Sequence, residues 1–240
     1  MSSYDIIFLN ECWIPEKVKL ELSGYTLKIK ARKRKKNARR DSGGLCVLIK
    51  NSIADFFEFI EWNNEDGMIV KVKCQYTSIN KDLYFVFVYM RSNNSTRNDL
   101  TQECDAFDLL YLKICELREN NEIVIIGDFN SRTSSLSDFY TNEHGNFDPL
   151  SEKDEIDYRI DQDFLTLSQI QLIRNNEDKK TNDFGHKLIN LCQVSGMLIC
   201  NGRINGDNNS GKLTYIEKKE YSVLVRYKLK EGRPPSSVCI

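Results

Sequence analysis

Short hydrophobic runs recur along the chain and are separated by glycine, asparagine and charged residues. Runs of this length, rich in valine, isoleucine and aromatic residues, are typical of β-strands that are buried on one or both faces. The pattern predicts strands over residues 4–10, 44–50, 68–74, 83–90, 122–127, 196–201 and 212–216.

Two segments have helical spacing instead. Within 98–120, one helix face carries the hydrophobic residues Leu100, Cys104, Phe107, Tyr111 and Ile114. Asn98 or Asp99 can cap this helix, because either side chain can accept a hydrogen bond from a free backbone N–H. The second predicted helix covers 182–196, and its hydrophobic face consists of Phe184, Leu188, Leu191 and Cys192. Gly196 can supply the left-handed residue that ends it.

The predicted strands outnumber the predicted helices. This ratio favours an α/β fold in which two sheets pack face to face with helices outside, a mixed sandwich. At 240 residues the chain can bury a proper core. No repeat and no linker is visible, so we expect a single domain over 1–240.

A basic run departs from the balanced charge of the whole chain. The formal net charge is −1, which provides no general attraction for nucleic acid or for an anionic membrane. Residues 30–40, however, hold eight lysines and arginines in eleven positions. Such density is typical of a nuclear-import segment or of a phosphate-contacting loop, and equally of a solvated loop between two strands.

Cysteine usage and the N-terminus bear on the cellular compartment. The eight cysteines form no C-x-x-C pair, and most lie in hydrophobic runs, as small buried residues do. The N-terminal residues lack the basic region of a signal peptide, and no hydrophobic stretch approaches the length of a membrane span. We therefore expect a thiol-reduced intracellular protein, nuclear or cytoplasmic, without a membrane partner.

Two predicted strands run directly into polar residues that could carry chemistry. "DIIFLNECW" leads into Glu11, and "IVIIGDFN" leads into Asp128 and Asn130. Carboxylates at strand ends can hold a hard divalent cation or orient a water, and an amide can donate a hydrogen bond to a phosphate oxygen. This combination suits phosphodiester hydrolysis. Glycine and aspartate also form ordinary turns, so a purely structural interpretation of each motif stays open.

Taken in order, these motifs resemble the endonuclease/exonuclease/phosphatase superfamily, whose members have the DNase I-like fold. More narrowly, the chain is similar to the endonuclease domains of non-LTR retrotransposons. The matching stretches are "YDIIFLNECWI", "DSGGLCVLIK", "FVFVYMRSNNS", "IVIIGDFNSRT", "NDFGHKLINLCQVSGMLICNGRINGD" and "GKLTYI". The resemblance covers about 4–222 and leaves 223–240 as a divergent tail. It implies a four-layer sandwich of two mixed sheets flanked by helices.

The resemblance also implies roles for individual residues. Glu11 corresponds to the family's metal-binding glutamate, Asp128 to the aspartate that activates water, and Asn130 to the asparagine that holds the scissile phosphate. Tyr89 corresponds to a tyrosine near the reacting phosphate, although an aromatic residue closing a core strand is an equal alternative. The implied cofactor is Mg²⁺ or Mn²⁺, and the implied partner is DNA, or RNA. The basic loop would contact nucleic acid through Lys33, Arg34, Lys35, Lys36, Arg39 and Arg40.

The sequence also departs from the family pattern. Family members begin with a strand that carries a metal-supporting asparagine, and here only Met1–Ser3 precede Tyr4. The family's later Ser-Asp-His motif has no counterpart after His186, which we expect on an exposed helix face. We therefore expect a fold that is incomplete at both ends and an impaired nuclease. The alternative is an inactive remnant that acts as a nucleic-acid or protein binding module.

Overall fold

The computed structural model of the chain describes residues 4–15, 18–32, 43–77, 81–91, 105–140, 171, 173–203 and 211–212. The chain divides into two compact units. The described residues as far as Met90, together with Val124–Asp128, form the first unit. The described residues of Arg91–Ile123 and those from Phe129 onward form the second. The expectation of a single domain over 1–240 stays a prediction.

The first unit is built on two sheets. In the three-stranded sheet, β3 lies between β1 and β2 and pairs antiparallel with both. These strands are β1 (Ile6–Asn10), β2 (Tyr25–Lys30) and β3 (Leu45–Lys50). The four-stranded sheet follows chain order, and its strands are β4 (Phe57–Ile60), β5 (Gly67–Val72), β6 (Leu83–Tyr89) and β7 (Glu122–Asp128). Two short 3₁₀ segments cover Asn51–Phe56 and Cys74–Tyr76.

Side chains from both sheets form one hydrophobic core in this unit. The cluster consists of Leu45, Val47, Ile49, Phe57, Met68, Val70, Val72, Phe85, Phe87 and Ile126. In β3, every residue except Lys50 is buried, which explains why its hydrophobic run is continuous rather than alternating. The two sheets of this unit therefore pack face to face, as the strand pattern predicted.

Five predicted strands are confirmed, and the remaining strand predictions differ in outcome. The five confirmed strands are β1, β3, β5, β6 and β7. The prediction for 196–201 is wrong, because Leu198 forms only an isolated bridge there. Residues 213–216 lie outside the described part of the chain. A strand ending at Lys28 and Ile29 is expected from the sequence, and β2 occupies this place and extends to Lys30. β4, which is only four residues long, was not predicted.

The second unit contains two helices, α1 (Ala106–Leu117) and α2 (Asp183–Ser195). Asp105 caps α1 by accepting a hydrogen bond from the Phe107 N–H, so the predicted caps at Asn98 or Asp99 are wrong. The start of α2 is capped by Asn182. Gly196 ends α2 at a φ of 64°, in the left-handed conformation that the sequence predicted.

A buried ion pair also belongs to the second unit. Arg203 Nη1 and Nη2 donate to the two carboxylate oxygens of Asp138 over 2.5 and 2.7 Å. Both side chains are 1% exposed. The Arg203 guanidinium also donates to the carbonyls of Ile199 and Gln171. Such multiple hydrogen bonding is what makes a buried charge tolerable.

The cysteines are less uniform than predicted. Cys46 and Cys192 are buried, in agreement with the prediction. Cys74 and Cys115 are exposed, so for them the prediction of a buried hydrophobic role is wrong. Cys200 takes part in a disulfide bond, which the expectation of reduced thiols did not foresee. Separately, none of the helices in the described ranges has the length and hydrophobicity needed to cross a membrane.

Candidate active site

Glu11 lies directly after β1 in a turn that the backbone holds firmly. Its φ is 50°, a left-handed value that is uncommon for a residue with a side chain. The next two residues tie the turn to β3, because the Cys12 N–H donates to the Gly44 carbonyl over 3.3 Å and the Trp13 N–H to the Gly43 carbonyl over 2.9 Å. The Glu11 carboxylate is thus presented on an exposed turn whose backbone is fixed at its base.

Tyr89, the last residue of β6, contacts Glu11 directly. Its hydroxyl Oη donates a hydrogen bond to Glu11 Oε1 over 2.5 Å, although 78 residues separate the two in sequence. The pKa of Tyr89 is raised, first by burial and then by the hydrogen bond to Glu11. The phenol therefore stays protonated at neutral pH and acts as a hydrogen-bond donor to the carboxylate.

Asp128 ends β7 beside the end of β6. Its carbonyl accepts the Met90 N–H over 2.7 Å. Gly127 permits this close approach, because a Cβ at that position would lie 1.8 Å from the Val88 carbonyl oxygen. The negative charge of Asp128 contributes to the raised pKa of Tyr89. The charges of Asp128 and Glu11 therefore act on the same hydroxyl, within the first unit.

Two residues that the sequence did not single out support Tyr89. The Arg32 guanidinium lies over the Tyr89 ring, 5.5 Å from its centroid, and forms an ion pair with Asp66. The Asp66 carbonyl accepts the Tyr89 N–H over 2.9 Å. Arg32 is one of eight cations in the basic run, and nothing in the sequence distinguishes it from the others. Asp66 lies in "NNEDG", which is typical of an ordinary turn. Neither stretch carries a local signal for this contact.

Asn130 belongs to the second unit, where it occupies a fixed loop. Its φ is 50°, and its carbonyl accepts a hydrogen bond from Asn182 Nδ2 over 2.9 Å. Asn182 Oδ1 also accepts the N–H groups of Arg132 and Gly185. The cap of α2 thereby holds the loop that carries Asn130. Its convergence with Glu11 and Asp128 stays a prediction.

The basic run begins with cations that face inward. Lys30 Nζ donates to the carbonyls of Trp62 and Gly67 over 2.6 and 2.9 Å, and burial lowers its pKa. Arg32 is paired with Asp66. The predicted nucleic-acid contacts, Lys33, Arg34, Lys35, Lys36, Arg39 and Arg40, lie outside the described residues. The loop predicted for Lys30–Arg40 is wrong at Lys30, which ends β2, and its residues 33–40 lie outside the described part of the chain.

The carboxylates of Glu11 and Asp128 are chemically suited to a hard divalent cation. Within the described ranges, His, Cys, Asp and Glu side chains form no group of three or more that could hold a metal ion. Mg²⁺ commonly uses only one or two carboxylates and completes its shell with water and substrate phosphate. Tyr89 donates to Glu11 Oε1, and the carboxylate keeps further lone pairs with which it would hold a cation. The donor chemistry of Glu11 and Asp128 therefore suits such an ion.

His186 was predicted on an exposed helix face, and it is exposed on α2.

Comparison with known proteins places these observations in a family. The profile of the endonuclease/exonuclease/phosphatase family matches residues 1–185, which is more than half of the chain and includes every candidate site residue described above. A search of curated proteins gave no match.

Proposed function

Because the chain belongs to the endonuclease/exonuclease/phosphatase family, we propose that it is a divalent-cation-dependent phosphodiester hydrolase acting on DNA, derived from a non-LTR retrotransposon endonuclease. The DNase I-like α/β fold predicted from the sequence is confirmed by the family match and by the two sheets and helices. One observation on this chain's own residues supports the proposal most strongly. The hydrogen bond from Tyr89 to Glu11 joins the ends of β6 and β1, where the sequence predicted chemistry.

Glu11 and Asp128 would have different catalytic roles. Glu11 would hold Mg²⁺ or Mn²⁺, and the bound cation would polarise a phosphate oxygen and neutralise developing charge. Asp128, with its exposed carboxylate, would orient and deprotonate the attacking water. Tyr89 would keep the Glu11 carboxylate in one orientation by donating to Oε1. The side-chain amide of Asn130 would donate a hydrogen bond to a phosphate oxygen.

The basic run supports DNA, or alternatively RNA, as the substrate. Lys33–Arg40 would contact backbone phosphates, which provides affinity without sequence preference. Binding of this kind weakens steeply as the salt concentration rises, because salt cations compete with the lysine and arginine side chains for the phosphates. We expect the affinity for duplex DNA to fall at least tenfold between about 50 and 200 mM salt. An affinity that does not change over this range would remove these cations from the interface.

This chain should be a slow enzyme. Its sequence contains no Ser-Asp-His motif after His186, and in the family this motif supplies a histidine to the phosphate. Loss of a general acid or base lowers the rate on the order of 10²- to 10⁴-fold. The residues described here would therefore retain cation and water binding but lack a partner on the other side of the phosphate.

Nicking of supercoiled plasmid by purified protein tests the proposal. We expect slow nicking with Mg²⁺ or Mn²⁺, with the enzyme in excess, that stops on addition of EDTA. Glu11→Ala and Asp128→Ala should abolish it, and identical preparation of the variants controls for a contaminating nuclease. Glu119→Ala is a matched control, because Glu119 is an exposed carboxylate in the turn after α1, in the second unit.

Three outcomes would contradict parts of this proposal. Turnover of about 1 s⁻¹ or faster, typical of enzymes, would overturn the expected impairment. Nicking that survives in both alanine variants would overturn the assignment of Glu11 and Asp128. DNA binding without any cleavage would favour the alternative of an inactive binding module.

A further inference from the structure

Arg32 is fixed by several neighbours in the first unit. Its Nη2 donates to Asp66 Oδ1, and the two side chains are only 12% and 20% exposed. The guanidinium lies over the ring of Tyr89. Gly43 leaves room for it, since a Cβ there would lie 2.3 Å from the guanidinium carbon. Arg32 is therefore a packed residue and not one of the solvated cations of a loop.

Asp66 holds Tyr89 as well as Arg32. Its carbonyl accepts the Tyr89 N–H, and its carboxylate binds the cation that covers the Tyr89 ring. Asn64 fixes Asp66 in turn, because Asn64 Oδ1 accepts the Asp66 N–H over 2.9 Å. The backbone and the ring of Tyr89 are thus both held by the two members of one ion pair.

We propose that Arg32 and Asp66 are positioning residues that fix the Tyr89 ring and, through its hydroxyl, the orientation of the Glu11 carboxylate. The inference rests on the proposed cation site at Glu11. Both residues act through Tyr89 rather than on the reacting atoms. A carboxylate whose rotation is restricted by a held donor binds a cation better than one that must be ordered on binding.

The ion pair also bears on the charge of Arg32, whose guanidinium lies over the ring of the tyrosine that contacts Glu11. An uncompensated guanidinium close to Glu11 would repel a divalent ion, whereas the Asp66 carboxylate offsets its charge. The planar guanidinium can stack on a ring while it donates to a carboxylate, which the ammonium of lysine does less well. Arginine paired with aspartate therefore positions Tyr89 without opposing cation binding.

A matched control for this arrangement lies on β5 and β6. Lys71 Nζ lies 5.7 Å from the centroid of the Tyr84 ring and 2.7 Å from Asp82 Oδ2. Lys71 and Tyr84 are direct partners across β5 and β6. This second group also combines a basic residue, an aspartate and a tyrosine, but its basic residue is a lysine and we assign the group no part in the cation site.

The experiment uses the full chain labelled with 3-fluorotyrosine and observed by ¹⁹F NMR. Among the 11 tyrosines, the resonances of Tyr89 and Tyr84 are assigned with Tyr89→Phe and Tyr84→Phe. Spectra without metal report the position of each ring. Titration with Mn²⁺ then reports cation binding, because a bound paramagnetic ion broadens nearby resonances. The test variants are Arg32→Lys, Arg32→Gln and Asp66→Asn, and the control variant is Lys71→Gln.

We expect all three test variants to move the Tyr89 resonance towards its position in the unfolded chain. The Mn²⁺ concentration that half-broadens this resonance should rise on the order of tenfold, as found when residues behind a metal ligand are removed. A role of charge alone predicts the opposite for Arg32→Gln, because loss of a positive charge strengthens cation binding. Lys71→Gln should move the Tyr84 resonance and leave the Mn²⁺ affinity unchanged.

An unchanged Tyr89 resonance in the folded Arg32 variants would overturn the proposal. Tighter Mn²⁺ binding in Arg32→Gln with unchanged binding in Arg32→Lys would overturn it too. Circular dichroism checks folding, and Arg32→Lys decides the matter if Arg32→Gln does not fold. If Mn²⁺ fails to broaden the Tyr89 resonance of the parent, the proposed cation site is wrong, and the metal-free spectra alone decide whether Arg32 positions the ring.

Discussion

Tyr84 and Tyr89 lie near the two ends of β6, and a cation lies over each ring. At the first end, Lys71 pairs with Asp82, whose carboxylate also accepts the Cys74 N–H that starts a 3₁₀ turn. At the second end, Arg32 pairs with Asp66, and the Tyr89 hydroxyl donates to Glu11. A basic residue, an aspartate and a tyrosine thus close a turn at one end and hold a candidate ligand at the other.

The difference lies in what the tyrosine and the aspartate contact beyond the cation. Besides its ion pair with Lys71, the Asp82 carboxylate accepts a hydrogen bond from the nearby Cys74 N–H. Tyr89 uses its hydroxyl on a carboxylate that is distant in sequence. A group of charged and aromatic residues therefore indicates function only when one of its polar atoms reaches a residue with chemistry of its own.

The largest expected effect comes from Gly127→Ala, which would act on the second end of β6 alone. The added methyl would lie 1.8 Å from the Val88 carbonyl oxygen, so the backbone must move. We expect the free energy of unfolding to fall by about 3 kcal/mol or more, at the upper end of overpacking effects. Urea unfolding measures this change. Loss of less than about 1 kcal/mol would show that β6 and β7 separate easily at this point.

The next effect separates the two tyrosines. Tyr89→Phe removes the donor to Glu11 and should weaken Mn²⁺ binding on the order of tenfold, as expected for a partner of a metal ligand. Tyr84→Phe should leave Mn²⁺ binding unchanged, because its neighbours are Lys71 and Asp82. Isothermal titration calorimetry with Mn²⁺ compares the two variants. Equal losses in both would mean that the two ends of β6 do not differ in the way described here.

The smallest effect concerns acid stability at the first end. The pKa of Asp82 is lowered, chiefly by its hydrogen bond with Lys71. The ion pair therefore stabilises the fold above the unfolded-state pKa of Asp82, and this contribution is lost as the pH falls through the lower folded-state pKa. Asp82→Asn should lower the free energy of unfolding by about 0.2–1 kcal/mol at pH 7. The difference from the parent should shrink as the pH falls below 3.8, the ordinary pKa of an aspartate, as urea unfolding at pH 7 and at acid pH would show.

The sequence was informative wherever a local pattern determines structure. β3 was predicted because its residues are buried in an unbroken run, and the end of α2 because Gly196 can adopt positive φ. The segment 196–201 shows the limit of this reasoning. Met197, Leu198 and Ile199 are buried, yet they form no strand. Hydrophobicity predicted their burial correctly. It predicted their secondary structure wrongly, because tertiary packing decides whether a short buried run forms a strand.

The candidate site was predictable only in part, for a related reason. Glu11 and Asp128 stand out because each lies one residue beyond the end of a hydrophobic run. The contact of Arg32 with Asp66 joins residues 34 apart, and the pair of Arg203 with Asp138 joins residues 65 apart. No spacing rule relates such positions, so side chains that support a site are found only when the chain is folded.

Anomalous diffraction from crystals of the full chain soaked in Mn²⁺ tests the cation site most directly. We expect one Mn²⁺ at about 2.0–2.2 Å from a carboxylate oxygen of Glu11, with the hydrogen bond from Tyr89 to Oε1 retained. The peak should vanish in Glu11→Gln crystals and persist in Tyr84→Phe crystals. A Mn²⁺ ion bound elsewhere in the chain, with Glu11 still bonded to Tyr89 and free of metal, would contradict the assignment of Glu11 as the cation ligand.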